Sequence, residues 1–409
     1  MMAEDSRQEI RRELMIALGL SIGAAVALGL SRFAYGLLLP PMRADLGWSY
    51  VEAGALNTAN GAGYIVGALA SAWAASRWGT MRSFLAGFAA SVLVLLLTAA
   101  TTSFAALFAL RTLGGVSTAV TFILGAGLAA AICPGQDPRR RSTLMGLYVA
   151  GVGLGTVAAG VAIPLILQDD AQRWPEGWIV LGILAAAGLP AAWWAARKVP
   201  AAAGRGSALL QAAELRRLAP TFLAYGLFGA GYVGYMTFII ALLRNQGGSS
   251  AQMVWFWFVL GLMSAISTML WGRALGALHE GRGPALVFAI ATIGTLPVLL
   301  ASGPVAMFAS AFLFGGSFLA GPAAVAIVAQ RQLPPASWTA AISLLTVGFA
   351  FGQAVGPILA GAISDATGNI AAGFWVSPAL LGLAACASLM QRSATPVRTP
   401  ASDAPPRRR

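Results

Sequence analysis

Long apolar stretches alternate with short polar connectors along nearly the whole chain. A helix needs about 20 apolar residues to cross ~30 Å of hydrocarbon. Twelve stretches meet that length, with limits near 14–39, 50–75, 82–101, 104–132, 142–167, 177–196, 219–243, 251–271, 284–302, 305–329, 337–363 and 371–390. The first runs from Leu14 to Leu39, too long for a signal-peptide core and without a small-x-small cleavage site. The longest connector is Arg197–Leu218, after the sixth stretch. The pattern predicts an all-α integral membrane protein with 12 transmembrane helices in two pseudo-symmetric six-helix bundles. Its expected parts are 1–196 (N-terminal bundle), 197–218 (cytoplasmic linker), 219–391 (C-terminal bundle) and 392–409 (disordered basic tail).

Composition agrees. The chain is 58% hydrophobic and 10% charged, against roughly 25% charged in soluble domains. That excludes a soluble enzyme, a disordered chain and a disulfide scaffold. The net charge of +12 is almost all arginine, Lys198 being the lone lysine. With the N-terminus inside, the outer loops hold only Arg43, Arg173 and Arg244, and the spans hold Arg32 and Arg111. The other 21 of the 26 basic residues face inward. The positive-inside rule then predicts that both termini are cytoplasmic. Basic residues at span ends, without interleaved aromatics, are no nucleic-acid patch. Cys133 and Cys386 lie far apart and His279 stands alone, so no metal site, disulfide or cofactor is expected. No phosphate-binding Gly-Lys motif is present, which argues against ATP-driven transport.

The two halves echo each other at an offset near 200 residues. Arg32-Phe33-Ala34-Tyr35 answers Tyr232-Val233-Gly234-Tyr235, and Ser49-x-x-Glu52 answers Ser249-x-x-Gln252. Gly114-Gly115 answers Gly315-Gly316, and Gly151-x-x-x-Gly155 answers Gly348-x-x-x-Gly352. Six spans separate the copies, so they share an orientation, as in a parallel repeat about the membrane normal.

On these features the sequence resembles the major facilitator superfamily. Ser76-Arg77-Trp78-Gly79-Thr80-Met81-Arg82 is similar to that family's Asp-Arg-x-Gly-Arg-Arg/Lys loop, with Ser76 in place of the Asp that helps lock the inner gate. Arg111-Thr112-Leu113-Gly114-Gly115 resembles its fourth-span motif. Residues 31–49 and 57–69 resemble the YbfB/YjiJ-like bacterial branch. Gly356-Pro357 resembles the antiporter motif, but span 5 has Gly160 and Pro164 without a Gly-Pro pair. The resemblance implies the major facilitator fold in the bacterial plasma (inner) membrane and transport of a small-molecule solute.

Buried charge marks the candidate chemistry. Arg32 lies eight residues before Pro40, and Arg111 eight after Ser103. At 1.5 Å per residue both lie ~12 Å deep. An ionised group near the bilayer centre costs about 2.5–3.5 kcal/mol and calls for a partner or a role. No acid is an evident partner at that depth, so the pair forms a candidate anion site. The bland reading of Arg111 is a bond to neighbouring helix backbone or, by the resemblance, a part in proton movement. Asn57, Asn60 and Tyr64 form one helical stripe, for which interhelical bonding is the plainer alternative. Tyr35, Tyr232 and Tyr235 join the substrate-binding candidates, with Tyr35 and Tyr235 placed to close the outer mouth or to anchor the interface. Gln353 is the main polar residue deep in span 11; its plainer role is packing. Glu52, the only acid within a predicted span, is the proton-coupling candidate, although Ser49-x-x-Glu52 also fits a capping box. Asp45 and Asp365 read as solvated loop charge.

The sequence therefore predicts a secondary transporter for a small organic anion, working by alternating access. Its expected partners are the solute, protons or a counter-anion, and membrane lipid, with the chain acting as a monomer. The rival is a proton-coupled efflux antiporter for apolar drugs or metabolites. A receptor or assembly factor would need an output domain, and an enzyme would need a catalytic constellation; neither is evident.

Overall fold

The computed structural model describes residues 2–133, 138–168, 170–200, 210–334 and 337–392. Residues 201–209 of the expected linker and 393–409 of the expected tail lie outside them. The described chain makes twelve helical passes. The first combines Met2–Ala24, a π-helical segment Ala25–Phe33, and Tyr35–Leu46. Next come Tyr50–Trp78, Thr80–Thr98, Phe104–Ala130, Pro138–Leu167 and Trp174–Ala196. The seventh pass is Ala212–Asn245 and the eighth Ser250–Ala277. The ninth and tenth are broken, Arg282–Thr295 with Pro297–Leu300, and Pro304–Phe318 with Gly321–Gln332. Trp338–Thr367 is the eleventh, and Ile370–Phe374 with Val376–Leu389 the twelfth.

Eleven passes are long and apolar enough to cross a membrane by length and composition. Tyr50–Trp78 is long enough but diluted by Asn57, Thr58, Asn60, Ser71 and its glycines. A pass that polar survives because its neighbours on both sides are protein rather than lipid: it packs against the fourth and the eleventh. The molecule is a multi-pass membrane protein.

The repeat is visible in the packing. Gly155 of the fifth pass sits on Ala25 of the first, and Gly352 of the eleventh sits on Gly226 of the seventh. Small residues let these backbones close up. Both predicted capping boxes form. The Glu52 and Gln252 N–H groups donate to Ser49 Oγ (3.1 Å) and Ser249 Oγ (3.3 Å), and the serine N–H groups donate back to the longer side chains.

The even number of passes puts Met2 and Arg392, the two ends of the described chain, on one side. At the opposite end the bundles are bolted together. Both oxygens of Asp365, on the eleventh pass, accept N–H bonds from Tyr50 (2.9 Å) and Val51 (2.8 Å), the first turn of the second pass. The Arg43 guanidinium lies 3.7 Å over the Tyr50 ring, which meets Phe238 of the seventh pass edge-on. A Cβ on Gly54 would stand 2.7 Å from the Pro357 carbonyl oxygen, so only glycine admits this approach. Asp365, expected as solvated loop charge, is exposed but lies on the eleventh pass and caps the second. Asp45 is exposed as well and accepts a bond from Trp174 Nε1 at 2.8 Å. Toward the end bearing the termini, Ser76 Oγ turns back to the Trp73 carbonyl of its own helix. Glu13, just before the first predicted span, is buried and pairs with Arg140 at 2.5 Å.

Candidate functional site

The π-helical winding of Ala25–Phe33 carries Arg32 in its last turn. A π segment inside a helix re-aims its side chains and is frequent at functional sites. Nothing in the residue pattern signalled it. Arg32 is 3% exposed and Arg111 5%. Among the described residues, neither guanidinium has a carboxylate within ion-pair distance.

Neutral groups hold the two charges, in different ways. Arg111 is gripped within its own bundle. Its Nη1 donates to the Ser31 carbonyl (2.9 Å) and its Nη2, at 3.5 Å, to Asn57 Oδ1. The Tyr35 ring lies 4.5 Å from its guanidinium carbon, and Trp178 lies 5.8 Å away. Asn60 Nδ2 donates to the Arg111 carbonyl at 3.1 Å. The backbone role weighed for Arg111 is thus present in its bond to Ser31. Beside it is a cavity of about 10 Å³ lined by residues that include Ser31, Asn60, Ser91, Thr98, Arg111 and Trp178. That is the room of about one water. Ser31 Oγ, Asn60 Oδ1 and Arg111 Nε are all buried without a protein partner.

Arg32 instead reaches across the molecule. Its Nη2 donates to Oε1 of Gln353 on the eleventh pass at 2.7 Å, and Gln353 Nε2 donates onward to the Tyr232 hydroxyl at 2.7 Å. The Arg32 guanidinium carbon lies 5.3 Å from the centre of the Tyr64 ring. Arg32 Nε is buried and has no hydrogen-bond partner among the described residues. A second tie joins Asn57 Nδ2 to Thr237 Oγ1 at 2.5 Å, and a third joins Thr58 Oγ1 to the Ala354 carbonyl at 2.5 Å.

Aromatic rings pack around this point. Tyr232 stacks on Phe349 (5.6 Å) and Phe318 (5.8 Å), while Phe33 meets Phe318 and Tyr232 edge-on. Arg32, Asn57, Tyr232 and Gln353 are thereby brought to the contact between the bundles, and Arg111 and Asn60 to the layer behind it. Tyr35 and Tyr235 are fully buried inside their own bundles, donating to the Ala53 carbonyl (2.7 Å) and paired with Ser310 Oγ (2.7 Å). Glu52 is exposed and engaged in its capping box. Thr237, Phe33, Phe318 and Phe349 were not singled out in the sequence, since nothing separates them from the many apolar and hydroxyl residues of the spans.

A second cavity, of about 310 Å³, lies toward the end opposite the termini. Its lining includes Leu37, Pro40, Ile163, Pro164, Ile240 and Met253, and among the described residues its charged members are Asp170 and Arg244. Its walls are mostly apolar and none of them is a buried cation.

The sequence matches the family described as "Uncharacterised MFS-type transporter YbfB" over residues 24–389. It is 28% identical over 396 residues to a chloramphenicol resistance protein of Streptomyces lividans, a match covering 92% of this chain and 96% of that one. It is also 28% identical over 415 residues to the 3-(3-hydroxy-phenyl)propionate transporter of Escherichia coli (strain K12), covering 93% and 95%. Its fold is similar to that of nucleoside transporter NupG, with a TM-score of 0.67 at 15% identity over 93% of this chain and 98% of that one. A bacterial homologue of the human lysosomal transporter Spinster, inward-facing and unoccupied, gives 0.67 at 18% identity over 93% and 95%. With the twelve passes and the family match across most of its length, the chain belongs to the MFS-type transporter family described by YbfB, whose members are membrane transporters and not enzymes.

Proposed function

We propose that this protein is a secondary active transporter for a small organic anion, in which Arg32 supplies the charge and the two bundles rock about it. The observation that carries this is a buried guanidinium with no carboxylate partner, bonded from one bundle to the other. Gln353, Tyr232, Asn57 and Asn60 orient the solute, and Arg111 keeps the surrounding bundle electropositive. Tyr64, Phe318 and Phe349 offer ring faces to an apolar body. The name of the Escherichia coli relative contains an aromatic carboxylate, which combines both chemistries. Alternating access requires the ties at Arg32–Gln353, Asn57–Thr237 and Asp365–Tyr50/Val51 to break as the opposite end opens. The arginine distribution supports a plasma (inner) membrane protein with both termini cytoplasmic. One chain completes both bundles and the site between them, which supports a monomer.

The test is uptake of labelled aromatic carboxylates into proteoliposomes. Arg32→Ala should abolish saturable transport and Arg32→Lys should retain a fraction of it. Wild-type rates in Arg32→Ala would end the anion reading. A second reading, proton-coupled efflux of an apolar compound, draws on the name of the Streptomyces lividans relative and on the stacked rings of Tyr225, Phe228, Tyr232 and Phe349. In that reading Glu52 carries the proton.

A further inference from the structure

We infer that Arg32 is a receptor for a monocarboxylate, and that the amide oxygen of Gln353 holds the place of one carboxylate oxygen until the solute displaces it. The inference rests on the anion reading above and adds the ligand's class and the coupling step.

Nε and Nη2 lie on the same edge of a guanidinium plane, with their N–H bonds nearly parallel. That edge matches the two oxygens of one carboxylate. In Arg32 the edge is half used. Nη2 donates to Gln353 Oε1 at 2.7 Å, and Nε is buried without a partner. A neutral amide oxygen thus occupies one of the two donors that a carboxylate would take, and the other donor is left unbonded among the described residues. A carboxylate would satisfy both donors, with charge-assisted bonds roughly twice as strong as neutral ones.

Charge count narrows the class. Arg111, the other buried guanidinium of the site, donates through both Nη atoms to Ser31 and Asn57 of its own bundle, and its unpartnered Nε lies in the layer behind the bundle contact, beside the cavity of about 10 Å³. One cation at the contact between the bundles suits a single carboxylate better than a phosphate or a dicarboxylate. The Tyr64 ring lies 5.3 Å from the Arg32 guanidinium carbon, and Tyr232, which holds Gln353, packs with Phe33 and Phe318.

Gln353 is fully buried and tethered through Nε2 to Tyr232, so its oxygen is presented to Arg32 rather than wandering. Because Arg32 is on the first pass and Gln353 on the eleventh, displacing that oxygen cuts a bond between bundles. Solute binding and release of the bundles become one event.

The experiment measures binding of 3-phenylpropionate and of its neutral amide to purified protein, with thermal stability recorded alongside. Wild type should bind the acid and not the amide. Gln353→Glu puts a carboxylate on the chain at the same edge. It should weaken acid binding at least ~10-fold by self-competition, and raise the melting temperature. Gln353→Met removes the competitor and should bind the acid ~3- to 10-fold more tightly. Arg32→Gln should lose acid binding in every background. If wild type binds the acid in an Arg32-dependent way but Gln353→Glu and Gln353→Met bind it equally well, the place-holder role is overturned while the anion site stands. If acid binding is the same with and without Arg32, both fall.

Discussion

Asp365 gives the clearest handle on the rocking motion, because it reaches from one bundle to cap a helix of the other. The perturbation is Asp365→Ala. It removes the acceptor for two first-turn N–H groups, those of Tyr50 and Val51, which the Ser49 capping box does not serve. Loss of a helix cap costs about 0.5–2 kcal/mol, and loss of a negative charge at a helix N-terminus about 0.3–1 kcal/mol. The carboxylate is exposed, so salt and water screen much of the charge effect. About 1 kcal/mol then remains for the closed arrangement, a roughly fivefold shift toward opening at this end. The assay is a spin-label distance measurement in nanodiscs. Labels go on cysteines introduced at the exposed Ala44 and Ala366, with Cys133 and Cys386 replaced. A longer-distance population should grow in Asp365→Ala, and by less in Asp365→Asn, which keeps one neutral acceptor. Superimposable distance distributions in wild type and Asp365→Ala would refute the latch.

Other substitutions separate structural from functional polar groups. Arg111→Met strands the Ser31 carbonyl and the Asn57 amide inside one bundle, each a buried group whose lost bond costs about 1–3 kcal/mol; a lower melting temperature than that of Arg32→Met should result, checked by thermal unfolding in detergent. Glu52→Gln should leave stability within about 0.5 kcal/mol, since Gln252 already closes the same box in the second half. Its transport should also keep the wild-type pH dependence, whereas loss of pH-driven transport would favour the efflux reading.

The fold was legible because the membrane leaves few choices. Apolar runs near twenty residues must be helices, and each of the twelve expected stretches falls on one of the twelve passes. The largest difference is at the first pass, which begins at Met2 rather than near 14, and the next is at the seventh, which begins at Ala212 rather than near 219. Residues 212–218 continue the helix because Gln211 and Glu214 form a third capping box, with Gln211 N–H donating to Glu214 Oε2 at 2.8 Å. The Ser49 and Ser249 boxes were readable for the same reason: capping is local, and its residues are three apart. The roles of Asp365 and Asp45 were not, since their partners lie 315 and 129 residues away. Winding was hidden too, because Ala25–Phe33 has an ordinary span composition and its π geometry is set by what packs around it.

Depth alone made Arg32 and Arg111 look equivalent; partner identity separates them. A charge bonded only to its own bundle travels with it, and its bonds need not change during the cycle. A charge bonded across bundles must let go once per cycle, so its bond has to be weak enough for a ligand to break. Polar bonds between membrane helices average about 0.6 kcal/mol, and the cross-bundle bonds described include Arg32–Gln353, Asn57–Thr237, Thr58–Ala354, the two Asp365 bonds, and Thr268–Gly146 between the fifth and eighth passes. Such a set holds a few kcal/mol. A solute bound with a dissociation constant between millimolar and micromolar contributes about 4–8 kcal/mol. The two quantities are of the same order, as a transporter needs if binding is to shift the bundles without trapping them. A carboxylate in place of the Gln353 amide would tip that balance from within the chain, toward bundles that stay joined at Arg32.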